Sequence, residues 1–65
     1  MIGEERWKPM YQILLVDDDP HILEVNAAYL KQQNYQVFCA RDGGSALSIA
    51  QSAALDAVIL DVDMP

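Results

Sequence analysis

Three short apolar runs punctuate the chain, at residues 13–16, 37–40 and 57–60, each continuous rather than alternating. Unbroken runs of this length suit strands buried on both faces, as in a parallel sheet. Between the first and second runs the pattern turns helical. Asp19 is a good N-cap and Pro20 a good first helical residue. Ile22, Val25, Tyr29 and Leu30 share one helix face, the expected core face, which Asn26 interrupts. Asn34 supplies a left-handed stop after Gln33. Between the second and third runs, Asp42-Gly43-Gly44 predicts a turn and a helix start. Ala46, Leu47 and Ala50 give that second helix its apolar face, and it ends within residues 52–55. Asp56 then closes the turn before the third run.

The predicted order is therefore β-α-β-α-β. Crossovers between parallel strands are right-handed in about 98% of cases. With the first strand central, the order across the sheet is 2-1-3 and the two helices cover opposite faces. The alternative order 1-2-3 would separate the first and third strands.

The choice matters for chemistry, because acids close both of those strands. Asp17-Asp18-Asp19 follows the first run and Asp61 follows the third. In the 2-1-3 order Asp17, Asp18 and Asp61 converge at one rim of the sheet. Crowded carboxylates disfavour one another's ionisation, and a hard cation such as Mg²⁺ relieves the repulsion through oxygen ligands. An aspartate beside Mg²⁺ can act as a nucleophile toward a phosphoryl group. In open α/β sheets, sites form at the carboxyl ends of strands where the order reverses.

Composition narrows the setting. A chain of 65 residues holds one domain at most. A domain near that size buries only roughly 60% of its unfolded surface and is marginal alone. Cys39 is the only cysteine, which excludes an intrachain disulfide and suits a reducing cytoplasm. Its apolar neighbours predict an inert core thiol. The formal net charge of −6 argues against nucleic-acid binding by this chain. The 52% apolar content is too high for a disordered tail. No apolar run approaches the roughly 20 residues that span a bilayer. Residues 1–11, with Trp7, read as an N-terminal leader that lacks the apolar core of a signal peptide, and Met10 is an alternative start.

Together these residues resemble the receiver domain of bacterial response regulators. The likeness rests on Ile13-Leu14-Leu15-Val16-Asp17-Asp18-Asp19-Pro20, on Asp42-Gly43 followed by Ala46-Leu47, and on Asp56-Ala57-Val58-Ile59-Leu60-Asp61-Val62-Asp63-Met64-Pro65. Asp18 and Asp61 stand 43 positions apart, which suits the family. The resemblance implies a flavodoxin-like, receiver-type α/β fold, with residues 12–65 forming its N-terminal part. Strands 4–5 and helices 3–5 of a receiver have no counterpart within these 65 residues. Asp61 would be the phosphoacceptor. Asp18 and Asp61 would ligate Mg²⁺ directly, Asp17 directly or through water, and Asp63 through its backbone carbonyl. The phosphoryl donor would be a phosphohistidine on a sensor histidine kinase. Such a domain is a self-phosphorylating switch rather than a turnover enzyme.

Other readings stand beside this one. Asp61-Val62-Asp63 also resembles the Asp-x-Asp nucleophile motif of haloacid-dehalogenase-type phosphatases, although that motif ends the first strand of its domain and leaves Asp17-Asp18 unexplained. An alternative to the phosphoacceptor reading is an interaction element, a truncated receiver that takes no phosphate. The exposed edge of the third strand invites a homo-oligomer. Asp19 is expected to cap rather than ligate, and His21 to be an exposed helix residue. Tyr29 and Tyr35 are read as packing residues. Gly43-Gly44 lacks the spacing of a phosphate-binding loop.

Overall fold

The computed structural model describes residues 10–60. Five elements follow one another: β1 (Gln12–Val16), α1 (Pro20–Gln32), β2 (Gln36–Ala40), α2 (Gly43–Ser52) and β3 (Ala57–Leu60). The three strands are parallel in the order β2-β1-β3. Leu14 lies opposite Phe38 on one side and Val58 on the other, and Val16 opposite Ala40 and Leu60. The leader, with Trp7, lies outside the described residues apart from Met10 and Tyr11, as do Asp61 and Asp63.

Local chemistry sets the element ends where sequence places them. The Asp19 carboxylate accepts from the His21 amide at 2.9 Å, and Pro20 needs no partner in the first turn. Asn34 turns left-handed at φ 71°, a conformation asparagine tolerates better than most residues. The Asp42 carboxylate accepts from the Ser45 amide at 2.7 Å and opens α2. Asp56 does more than close a turn. Its carboxylate accepts from the Gln12 amide at 2.7 Å, while its own amide donates to the Gln12 carbonyl at 2.8 Å, so it clamps β3 to the start of β1.

Alternation along β1 splits the core into two layers. Ile13 and Leu15 pack with Leu23 and Ala27 of α1, flanked by Leu30, Tyr35 and Val37. Leu14 and Val16 pack with Ala40, flanked by Phe38, Ala46, Ile49 and Leu55 on the α2 side. The helices therefore cover opposite faces, as the 2-1-3 order requires.

Burial departs from the sequence pattern in four places. In α1 the core face is Leu23 and Ala27, with Ile22, Val25 and Tyr29 exposed. The helix has enough apolar residues for two neighbouring stripes, and the one with small Ala27 lies against the sheet. In α2 Ala46 and Ile49 face the core, while Leu47 and Ala50 are exposed. Cys39 is exposed rather than an inert core thiol, because β2 is an outer strand among those described. All four residues of β3 are exposed, since both helices pack over β1 and β2 and neither over β3.

Candidate functional site

All strands run the same way, so each β-to-α turn lands on one rim. The first such turn holds Asp17, Asp18 and Asp19, and the second holds Arg41 and Asp42. Asp17 extends the β1–β2 ladder by one bond, its amide donating to the Ala40 carbonyl at 3.1 Å. Its side chain is 8% exposed, and one carboxylate oxygen accepts from the Asp19 amide at 2.9 Å. That bond bridges two positions along the chain and folds the acid segment into an Asx-type turn. Asp18 is exposed, and its carbonyl accepts from Arg41 Nη2 at 3.3 Å.

Two clefts open beside these acids, one on each face of the sheet. The first, of about 180 Å³, lies between α1 and β3 and is lined by Leu15, Val16, Asp17, Ile22, Leu23, Asn26, Ile59 and Leu60. Asn26 thereby gains a place: it breaks the apolar stripe where the helix borders this cleft. The second, of about 470 Å³, is lined by Asp18, Cys39, Ala40, Arg41, Asp42 and Ser45. Asp42 there is held below the usual carboxylate range. The Ser45 amide is the main cause, followed by the Ser45 hydroxyl, with smaller help from the Gly44 amide and the Arg41 charge against a small burial penalty.

The structure thus brings Asp17 to the same cleft as Leu60, the last residue of β3, and turns Asp18 toward the opposite cleft. Asp19 caps α1 and His21 is exposed, as expected. Among the described residues no three His, Cys, Asp or Glu side chains gather into a metal-holding group. The two acids that end β1 offer only carboxylate oxygen, a donor chemistry that fits Mg²⁺ and not a soft metal. Sequence reading missed Arg41 at this rim, whose partner lies 23 positions away, and at the opposite rim it read Asp56 only as the close of a turn, not as a clamp on Gln12, 44 positions away.

Comparison with known proteins decides the family. The family described as response regulator receiver domain matches residues 13–65. The chain belongs to the response regulator receiver domain family. Its fold is accordingly the receiver-type, flavodoxin-like sheet. This receiver sequence is also 41% identical over 54 residues to the CAI-1 autoinducer sensor kinase/phosphatase CqsS of Vibrio cholerae serotype O1. The match covers 83% of the chain but spans only 8% of that relative. No solved structure matches the receiver sequence at a significant level. No helix among the described residues is long and apolar enough to cross a membrane.

Proposed function

We propose that this chain is a phosphoacceptor module of a two-component pathway, taking a phosphoryl group on Asp61 from a sensor histidine kinase. One observation carries the reading. The parallel register pairs Val16 with Leu60, so the strand followed by Asp17-Asp18 and the strand followed in sequence by Asp61 end side by side. Asp17, Asp18, Asp61 and the backbone carbonyl of Asp63 would hold Mg²⁺. The bound ion would supply neutralisation of the charge on the phosphoryl oxygens. An Asp61 carboxylate oxygen attacks phosphorus in line, the phosphorus–nitrogen bond of the phosphohistidine breaks, and the imidazole leaves with the electron pair and takes up a proton.

The similarity to a protein named as a sensor kinase/phosphatase supports a histidine-kinase partner. A cytoplasmic setting suits the single thiol, Cys39. The phosphatase reading of Asp61 and Asp63 has lost ground, since the receiver family accounts for that segment together with Asp17-Asp18. The boundary between a leader at 1–11 and the receiver at 12–65 remains part of this proposal.

Intact mass after incubation with acetyl phosphate tests the chemistry. A gain of one phosphoryl group is expected with Mg²⁺, and none with Asp61→Asn. A folded chain that gains no phosphoryl group would overturn the phosphoacceptor reading. It would favour the second one, an interaction element working through β3, which the exposure of all four β3 residues supports.

A further inference from the structure

Arg41 holds a position that neither the resemblance nor the acid cluster explains. It follows β2 directly and precedes the Asp42 cap. From there its guanidinium reaches across the rim to donate to the Asp18 carbonyl at 3.3 Å. Lys31, the other ammonium or guanidinium group among the described residues, lies in the last turn of α1 at the opposite rim. Arg41 is thus the single such cation at the acid rim among the described residues. Its side chain ties the acid turn to the turn after β2.

We propose that Arg41 is a positioning residue for the acid turn: by bonding the Asp18 carbonyl, it fixes the main chain that aims the Asp17 and Asp18 carboxylates. This inference rests on the reading of those acids as a magnesium site. Arg41 is suited to the role because a guanidinium offers planar, pre-organised donors and keeps its charge at every working pH. The Asp18 carbonyl shares one planar peptide unit with the Asp19 amide, which donates to the Asp17 carboxylate, so holding that carbonyl stops the unit from rotating and restrains Asp18 and the Asp17 carboxylate together.

Two roles for Arg41 predict opposite signs. A cation that merely sits near the site repels Mg²⁺, so its removal should tighten binding. A cation that positions the ligands helps binding, so its removal should weaken it. Calorimetric titration of the full chain with Mg²⁺ separates them. Arg41→Ala is expected to weaken binding by about five-fold, the size of one hydrogen bond's net contribution. Arg41→Lys keeps the charge and a donor, and should recover part of that loss. Unchanged or tighter binding in Arg41→Ala overturns the proposal.

A metal-free measurement keeps this separate from the magnesium reading. The Asp19 amide, bonded to the Asp17 carboxylate, reports the order of the acid turn by hydrogen exchange. Its exchange should quicken in Arg41→Ala and partly recover in Arg41→Lys, with unchanged far-UV circular dichroism. A wild-type chain that binds no Mg²⁺ would sink the magnesium site while the Asp19 amide still decides on Arg41. Exchange identical in all three proteins overturns the proposal. Should Arg41→Ala fail to fold, the Lys variant decides, because a lost planar fork alone should then quicken exchange.

Discussion

Asp42 shows how a single carboxylate links local structure to pH. Its titration is held low chiefly by the Ser45 amide that it caps. A group whose titration is lowered on folding adds stability that is fully present above the unfolded value and is lost as pH falls through the folded one. The ordinary value is 3.8, so the cap of α2 should persist above that pH and weaken below it. Circular dichroism followed down in pH should show an acid step in helicity. Asp42→Asn, which caps without titrating, should lessen that step. An acid step of equal size in both proteins would show that other carboxylates govern it. The legible residues were of this kind. Asp19, Asn34 and Asp42 act on amides or dihedrals within three positions of themselves, so adjacent sequence suffices to read them. Asp56 and Arg41 act on partners brought near only by folding, and Cys39 depended on knowing which strand lies outermost.

At the scale of elements, β1 is the keel. Leu14 is 1% exposed and sits between Phe38, Val58 and the α2 face. Leu14→Ala should cost roughly 2–5 kcal/mol, the usual range for emptying a packed leucine site. Urea denaturation followed by circular dichroism would measure it. Exposed Leu47→Ala, removing the same atoms from α2, should cost far less. Equal losses would contradict the two-layer core. Strand positions and order were readable because continuous apolar runs and crossover handedness leave few arrangements. The helix faces were not. Helix α1 carries apolar residues around more than half its circumference and α2 spreads four over a broad arc, so spacing alone could not choose the stripe. Proximity to the sheet chose it, favouring Leu23 with Ala27 and Ala46 with Ile49.

For the molecule as a whole, the acid rim and the apolar flank compete for attention. Val58, Ile59 and Leu60 on β3, with Ile22, Val25 and Tyr29 on α1, leave large side chains in water, Leu60 at 64% exposure. Apolar surface of this extent, beside a strand edge, favours association. The 65-residue chain should therefore sediment above monomer mass at micromolar concentration, and Val58→Lys with Leu60→Lys should shift it back. A compact wild-type monomer would sink the β3 docking reading. The same architecture also sorts the turns by what they can bear. The turns that carry Asp17, Asp18 and Asp42 occupy one end, whereas the Gln33–Asn34 turn and the residues around Ala53 occupy the other. The chemistry is thus insulated from half of the loops. Extra residues, a fluorophore or a fused partner introduced beside Asn34 would sit a strand's length from Asp17, so this end is where the protein can be rebuilt, by selection or by design, without disturbing its acids.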